Sequence, residues 1–281
     1  MTLAMNLRPL VCRRLSSAVV LGFLTMVTFT SVASAAEARD KNPTGKIYVV
    51  GTAGGAQVAM GDKVTVLALK AIFQAQGSRI ETEPQGNLTM VFSNGTGAFL
   101  DNDTQLDVKR FTQEPFTASR TDLELEPSVS HTEGFIPHGT LAVSTSKLAA
   151  GSTITFLTRY GSISLHDSDL VIESGGAAAK FFLLKGEATV SAGPLDPGRR
   201  VLKAGEQVII TAGPSGRPNR LDLSRIPAPD LPALEALAAR AYAARKTVFF
   251  ETDDSGDITG VPVVNAALPV QSAISPSKLP D

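Results

Sequence analysis

The feature that most constrains this chain is a period-two alternation of apolar and polar residues, which runs in short stretches through residues 45–211. In "NLTMVF", for example, Leu88, Met90 and Phe92 fall on one face of an extended strand, with Asn87 and Thr89 on the other. Gly, Pro, Asn and Asp separate the stretches, and a parallel sheet would need crossover helices for which this region has no room. The sequence therefore predicts an all-β fold, an antiparallel sandwich or roll of many short strands.

The alternating region divides into two similar halves, residues 45–116 and residues 139–211. The stretch between them, "TASRTDLELEPSVSHTEGFIPH", is polar and is predicted to be a connecting excursion. A glycine followed by an acidic residue precedes alternating runs in "GDKVTV", "KGEATV" and "GEQVII". Because glycine adopts turn conformations readily, we interpret Gly186 and Gly205 as turn residues and assign no catalytic role to the acids that follow them.

The segment "FSNGTGAFLDNDTQLDV" contains two predicted chain reversals. Asn94 and Gly95 are expected to form a two-residue hairpin loop, since Asn-Gly suits the twist of paired strands. The residues Asp101, Asn102 and Asp103 are expected to make the next reversal by bonding to their own backbone. A cation site at this acidic triplet is the alternative interpretation.

After residue 211 the pattern changes to a turn-rich segment, one helix and a short strand, together residues 212–250. "DLPALEALAARAYAARK" predicts the helix, with Asp230 at its N-cap and Pro232 in its first turn. Arg240 and Arg245 lie toward its C-terminal end, where the helix dipole favours cations. "TVFFE" predicts the strand, and residues 251–281 are predicted to be an extended or disordered tail. The apolar stripe of the helix comprises Leu234, Leu237, Ala238 and Ala241.

Residues 1–35 have the pattern of a cleavable secretory signal peptide. Three arginines precede the apolar run "LSSAVVLGFLTMVTFTSV", and the small residues "ASA" follow it. An uncleaved membrane anchor is the alternative, because the apolar run approaches the roughly 20 residues that span a bilayer. We expect an exported protein, periplasmic or extracellular, without a membrane span after cleavage.

Cleavage would remove Arg8, Arg13 and Arg14 and no acidic residue, so the formal net charge would fall from −1 to −4. A mildly acidic chain without a basic stripe disfavours nucleic acid as a partner. The single cysteine, Cys12, would leave with the signal peptide, which excludes disulfides and thiolate chemistry from the mature chain.

Candidate catalytic and metal-binding residues are few. On a regular strand His166 would point away from Asp167 and Asp169, so the three cannot share a metal ion, and His131 and His138 are expected in solvated turns. "DNDT" and "DDSGD" lack the full spacing of a calcium loop, and "GTAGGA" lacks the Lys and Ser/Thr of a phosphate loop. We therefore predict no catalytic residues, no cofactor and no metal ion.

The stretch "QAQGSRIETEPQGNLTMVFSNGTGAFLDNDTQLDVKRFTQEPF" resembles the first half of the FecR domain family. "GTLAVSTSKLAAGSTITFLTRYGSISL", "FFLLKGEATV" and "LKAGEQVII" are similar to segments of that family's second half. The resemblance extends over about residues 46–211 and rests on turn glycines and apolar alternation. The positions that carry it in the first half are Gly77, Ile80, Thr82, Leu88, Val91, Asn94, Gly95, Leu100, Thr104, Leu106 and Val108.

The resemblance implies a periplasmic all-β domain, which in transmembrane family members relays the state of an outer-membrane transporter to a cytoplasmic anti-sigma segment. Fourteen residues precede the apolar run, so we expect a stand-alone form without that segment. We expect this protein to be a non-enzymatic module of the bacterial cell envelope that binds a protein partner. One form of this hypothesis is that the module is accessory to transmembrane signalling. The alternative is a carbohydrate- or calcium-binding envelope protein.

A Gly95→Val variant should be less stable by about 1–2 kcal/mol, because a side chain resists the left-handed backbone that this loop requires. Urea unfolding of the two proteins measures the difference. An unchanged unfolding midpoint would contradict the predicted turn.

Overall fold

The structure, a computed structural model, describes residues 45–117, 122–196, 198–214, 217, 219–253 and 257–263. The predicted signal peptide and residues 264–281 of the predicted tail lie outside them. Within the described residues, the helix α1 (Leu231–Arg245) lies between β15 and β16 of seventeen strands. The strands are β1 (Lys46–Ala53), β2 (Ala56–Met60), β3 (Lys63–Val66), β4 (Ile72–Gln74), β5 (Ser78–Thr82), β6 (Asn87–Phe92), β7 (Gly97–Leu100), β8 (Gln105–Gln113), β9 (Ser130–Ser144), β10 (Thr153–Leu157), β11 (Ser162–Gly175), β12 (Ala178–Ser191), β13 (Arg200–Lys203), β14 (Glu206–Thr211), β15 (Arg220–Arg225), β16 (Val248–Thr252) and β17 (Ile258–Pro262).

Fifteen of these strands form one continuous sheet that folds over into two layers, while β16 and β17 form a separate hairpin. Hydrogen-bonded neighbours in the first layer follow the order β4-β1-β6-β7-β9-β11-β12-β14-β15. In the second layer the order is β3-β2-β5-β8-β9-β10-β11-β12-β13. The two halves of the sequence each contribute strands to both layers.

Three long strands, β9, β11 and β12, belong to both layers because each bends sharply along its length. In β9 the bend is at Gly139, whose φ of 98° is accessible to glycine. In β11 the pairing register shifts around Asp167, a non-glycine residue at φ 49°, and in β12 the bend is at Gly186, at φ 83°. These bends convert one sheet into a two-layered structure.

One pair of strands, β9 and β10, is parallel. The second half of β9 crosses the first layer, and residues 145–152 then return the chain to the second layer, where β10 begins. The chain thus completes one circuit around the sandwich, and this circuit serves as the crossover connection that a parallel pair needs. The predicted antiparallel sandwich thus contains one parallel pair among its described strands, and a strand in place of a helix makes the crossover.

The main core lies between the two layers and contains most of the buried aliphatic and aromatic side chains. Phe92 and Phe111 meet edge to face there, with ring centroids 5.4 Å apart. Burial of both inner faces explains the alternation that the sequence shows in strands such as β10 and β14.

A second apolar region covers the outer face of the first layer. Helix α1 packs over β7, β9, β11 and β12, and the β16–β17 hairpin packs over β1 and β6. All four residues of β7 are therefore buried, which explains why "GAFL" is continuously apolar instead of alternating. The buried contacts beneath the helix are made by Phe99, Ala142, Val171, Phe182, Ile226, Leu234, Ala238 and Ala241.

The structure confirms the predicted fold class, an all-β sandwich with one C-terminal helix. The helix has Asp230 at its N-cap position and a proline in its first turn, although the Asp230 side chain makes no capping hydrogen bond. The strand predicted at "TVFFE" is β16, and its partner β17 was not predicted. Among the described residues, no helix has the length and apolar composition that crossing a membrane requires.

Two expectations about local structure were wrong. Gly186 lies within the continuous strand β12 instead of opening a new strand. The polar stretch before Gly139 is not a loop throughout, since β9 begins at Ser130 and includes both His131 and His138. Pairing with β8 and β10 on both sides holds this polar sequence in an extended conformation.

Helix α1 approaches β7 so closely that a Cβ atom at Gly97 would lie 2.0 Å from the carbonyl oxygen of Ala241. A Gly97→Ala variant should therefore lose roughly 1–3 kcal/mol of stability, as overpacked sites do. Gly175→Ala is the matched control, because an added Cβ there meets nothing within 4 Å. Urea unfolding of both variants tests the contact, and equal stabilities would contradict it.

Candidate functional site

The strand β3 is a free edge of the second layer. Among the described residues its one strand partner is β2, through pairs such as Val58 with Thr65 and Ala59 with Val64. All four residues of β3 are exposed, whereas Val58 on the neighbouring strand is 5% exposed and belongs to the core. The strand thus extends past the end of the core and leaves one edge of its backbone unpaired.

Large apolar side chains are exposed along this edge. The exposed fractions are 58% for Val64, 76% for Val66, 59% for Leu69 and 38% for Ile72. These four side chains lie within nine consecutive residues, in β3, in the loop that follows it and in β4. A cluster of exposed apolar side chains at a sheet edge is typical of a surface that another chain covers.

A groove of about 210 Å³ opens between β3 and β4, where the two layers separate. Its lining includes Thr65 of β3, Ile72 and Phe73 of β4, and the core residues Val58 and Leu67. We call β3, β4 and the groove between them the β3 edge. Most of the residues that line the groove are apolar.

Two lysines flank the apolar side chains of the β3 edge. Lys63 begins β3, and Lys70 lies in the following loop at φ 66°, with its amide donating to the carbonyl of Val49 at 2.9 Å. Both side chains are exposed, and no carboxylate among the described residues lies within ion-pair distance of either. The β3 edge therefore offers two lysines that have no ion-pair partner among the described residues.

The other free edges carry more charge. At β15, Arg220 and Asp222 form an ion pair at 3.0 Å, and Arg225 ends the strand. At β13, Arg200 and Lys203 enclose Val201, which is 50% exposed. Charged side chains of this kind protect natural sheet edges from other strands. The β3 edge has the largest concentration of exposed apolar side chains among these edges.

The structure places the predicted turn residues at separate points of the fold. Gly77, Gly95, Gly186 and Gly205 all have φ near 80°. At Gly186 an added Cβ would lie 2.0 Å from the carbonyl oxygen of Asp167, so the bend of β12 depends on glycine for space as well as for conformation. These residues shape the sheet and do not converge on one site.

The loop around Asn94 differs from the expected two-residue turn. Phe92 donates to the carbonyl of Thr96 at 2.8 Å, which leaves Ser93, Asn94 and Gly95 as a three-residue loop with the glycine left-handed. That arrangement is the second most common hairpin connection. Asn94 is fully buried, because the segment from Asp122 to Ser130 packs over it, and this burial was not evident from the sequence.

A buried polar network holds that segment in place. The Asn94 side-chain amide donates to Ser130 Oγ at 3.0 Å, and Ser130 Oγ donates to Glu126 Oε1 at 2.5 Å. The other oxygen of Glu126 accepts from the backbone amide of Ala149 at 2.7 Å. Burial raises the pKa of Glu126, although hydrogen bonds from Ser130 and its neighbours oppose the shift. The network joins three separate parts of the chain.

Helix α1 fixes the same segment from the other side. Arg245 and Lys246 both form ion pairs with Glu124. Arg245 is 3% exposed, and burial lowers its pKa from the ordinary arginine value. Arg245 lies in the last turn of the helix, as the sequence predicts, and its burial against Glu124 was not predicted.

The histidines and acidic stretches make local structural contacts. His131 Nδ1 lies 3.0 Å from Thr153 Oγ1, and His138 Nε2 lies 3.8 Å from an oxygen of Asp103. The Asn102 side chain donates to the carbonyl of Pro84 at 3.3 Å, and Asp103 takes a left-handed conformation at φ 47°, so this triplet forms the expected turn. Part of "DDSGD", residues 254–256, lies outside the described chain. Among the described residues, no three His, Cys, Asp or Glu side chains are grouped to hold a metal ion.

The carboxylate of Asp107, in β8 of the second layer, accepts hydrogen bonds from three side chains. Although burial alone would raise its pKa, bonds from Gln105 at 2.8 Å, Lys109 at 2.9 Å and Arg79 at 3.1 Å lower it overall. Three donors on one carboxylate stabilise adjacent strands β5 and β8.

Comparisons with known proteins identify no family for this chain. No protein-family model matches the sequence, and no curated protein matches it. Two crystal structures from Parabacteroides distasonis ATCC 8503, at 1.65 and 2.50 Å, resemble part of the fold, and each is described as that of a "putative anti-sigma factor".

Both likenesses are distant. The first structure has 12% sequence identity and a TM-score of 0.40, and the match covers 63% of this chain and 70% of that one. The second has 9% identity and a TM-score of 0.40, and the match covers 66% of this chain and 98% of that one.

A Glu126→Gln variant tests the buried network through the pH dependence of stability. Because burial raises the pKa of Glu126, the folded state binds this proton more tightly than the unfolded state does. Below the unfolded-state pKa the carboxyl is protonated in both states, and its contribution to the free energy of unfolding is greatest. That contribution falls as the pH rises from the unfolded-state pKa toward the folded-state pKa. The variant lacks that fall, so its stability relative to the parent should increase from pH 4 to pH 7. Urea unfolding at the two pH values measures this difference.

Glu235→Gln, at an exposed position on α1, is the control and should show no comparable trend. If the stability difference between the parent protein and Glu126→Gln stays constant with pH, the pKa of Glu126 is not raised in the folded state and the prediction is contradicted.

Proposed function

We propose that this chain is an exported, non-enzymatic protein-binding module of the bacterial cell envelope, built on a FecR-like β domain. The observation that carries the proposal is the β3 edge, where Val64, Val66, Leu69 and Ile72 are exposed beside an unpaired strand. Exposed apolar edges tend to aggregate unless a partner or a covering segment uses them. A protein partner for this surface gives the exposed residues a role.

The shape of the β3 edge favours a protein over a small molecule. Small-molecule sites are usually concave pockets that enclose most of the ligand, with a few converging polar groups. The groove between β3 and β4 has a volume of about 210 Å³, below the roughly 300–1,000 Å³ of typical ligand pockets, and the polar side chains among its lining residues are those of Lys63 and Thr65. Such a surface fits the side chains and backbone of another polypeptide.

The titratable groups of the described residues also support a non-enzymatic function. Of the groups whose pKa is shifted, Asp107 lies in the second layer, whereas Glu126 and Arg245 line one cavity beside residues 122–127. Their charged groups are bonded within the protein, Glu126 to Ser130 and Ala149 and Arg245 to Glu124. Catalytic groups with shifted pKa values normally face a cleft that is open to substrate. The interpretation of the chain as a binding module rests on this internal bonding together with the β3 edge.

Export and signalling are the parts of the proposal that rest on sequence. The basic segment, apolar run and "ASA" site support export through a cleavable signal peptide. The FecR-like segments within residues 46–211 support a role accessory to transmembrane signalling. We place the mature module in the periplasm or outside the cell on these grounds.

Affinity capture tests the proposed function. The mature chain, residues 36–281, is immobilised and incubated with detergent-solubilised envelope extract of the source bacterium, with chemical crosslinking before washing. We expect the same envelope protein in independent preparations, and the recovered complex should re-form from purified components. The control is a mature chain unfolded by urea and immobilised in the same way.

Failure to recover a reproducible partner, together with saturable turnover of an envelope substrate by the purified chain, would overturn the proposal. Fractionation of cells that produce the full chain tests export separately. A full-length product retained in the cytoplasm would contradict it.

A further inference from the structure

We propose that the β3 edge binds an extended protein segment as an additional strand, and that this segment carries alternate apolar side chains and a carboxylate that meets Lys63 or Lys70. The inference rests on the proposed protein-binding function and specifies the partner's chemistry and its mode of binding. Four features of the β3 edge lead to it.

The first feature is the direction of the backbone groups in β3. Gly61 and Asp62 connect β2 to β3, and Met60 pairs with Lys63 across them. Further along, the Leu67 amide donates to the Ala56 carbonyl at 2.8 Å. Hydrogen-bonded pairs recur at every second residue of an antiparallel ladder, so Lys63, Thr65 and Leu67 bond to β2. The amide and carbonyl groups of Val64 and Val66 therefore point away from it.

These outward groups form a template for one more strand. Two residues with the same orientation, Val64 and Val66, supply two amide donors and two carbonyl acceptors in register. Main-chain bonds of this kind provide the affinity when a peptide adds to a sheet edge, while side-chain positions provide the specificity.

The second feature is the distribution of side chains beside this template. Val64 and Val66 share the outer face, where they are 58% and 76% exposed. An added strand would place every second side chain next to them, and apolar side chains would be covered best at those positions. The partner segment should therefore have small or branched apolar residues at alternate positions.

The third feature is the opposite face of the same strand. Thr65 pairs with Val58, whose side chain belongs to the core, so Thr65 faces the groove between the layers. Side chains of an added strand on this face would enter the groove beside Ile72 and Phe73. A single strand would thus cover exposed apolar surface on both of its faces.

The fourth feature is charge. Lys63 and Lys70 have no carboxylate partner within the described chain, and both are exposed. Opposite charges at the rim of an interface favour the encounter and fix the register. A second copy of this chain would bring two further lysines and one carboxylate, Asp62, to the same edge, and this net positive charge disfavours self-pairing. A segment with a carboxylate near one end complements the site.

The test uses synthetic peptide probes and the mature chain, residues 36–281. The acidic probe is Glu-Val-Thr-Val-Thr-Glu with a fluorescent label, and the basic probe replaces both Glu residues by Lys. A third probe has the acidic sequence with N-methylated valines, which removes donors needed for strand pairing. Fluorescence anisotropy measures binding, and amide hydrogen exchange locates it.

We expect saturable binding of the acidic probe, with binding about tenfold weaker for the basic and N-methylated probes at low salt. The amides of Val64 and Val66 should become protected from exchange when the acidic probe binds. Equal binding of all three probes would overturn the inference. A lack of binding by the acidic probe would also overturn it, as would protection from exchange at β13 in place of β3.

Variants separate the edge from the rest of the surface. Val66→Arg should abolish binding of the acidic probe, whereas Val201→Arg, at a half-exposed valine of the free edge β13, should leave it unchanged. The double variant Lys63→Glu, Lys70→Glu should reverse the preference in favour of the basic probe. Far-ultraviolet circular dichroism checks that each variant is folded. If Val66→Arg does not fold, the charge-reversal variant still tests the site, because it retains both Val64 and Val66.

The outcomes also distinguish this inference from the proposed function. If the partner found by affinity capture binds Val66→Arg as well as the parent, the binding function stands and strand addition at β3 is excluded. If size-exclusion chromatography shows a dimer that Val66→Arg dissociates, a second copy occupies the edge and the inference is overturned.

Discussion

The two-layered structure depends on close backbone contacts where strands bend from one layer to the other. At Gly139 an added Cβ would lie 2.4 Å from Thr104 Cα, so the bend of β9 packs directly against the turn that joins β7 to β8. Thr104 Oγ1 also accepts a hydrogen bond from the Thr140 amide at 2.9 Å. At the opposite side, Gly186 of β12 approaches Asp167 of β11 in the same way. Without these approaches the long strands could not contribute to both layers, and the core between them would not close.

Much of this architecture is predictable because alternation and helix signals are local properties of the sequence. The strands flanking Asn94, the helix at residues 231–245 and the strand β16 all follow from short patterns. The circuit made by β9 and β10 was not predictable, because it depends on pairing between residues far apart in the chain. "SHTEGFIPH" has a polar composition, and tertiary pairing overrides that composition to make it part of a strand.

The candidate site illustrates the same limit. "KVTV" in β3 and "TITFL" in β10 have similar alternation, yet β10 lies between two strands while β3 has a free edge. Exposure of Val64 and Val66 follows from the position of β3 at the end of the layer order and not from its composition. Sequence alone indicates that exposed edges exist in such a fold, and the three-dimensional pairing identifies which strand is exposed.

The position of α1 near the end of the described chain has a consequence for truncated forms. Phe99, Ala142, Val171 and Phe182 form the apolar outer face of the first layer, and α1 covers them. A chain cut before Leu231 contains every described strand of the sandwich but lacks this cover. Contiguous exposed apolar surface is an aggregation liability, so the solubility of the sandwich depends on an element that contributes no strand to it.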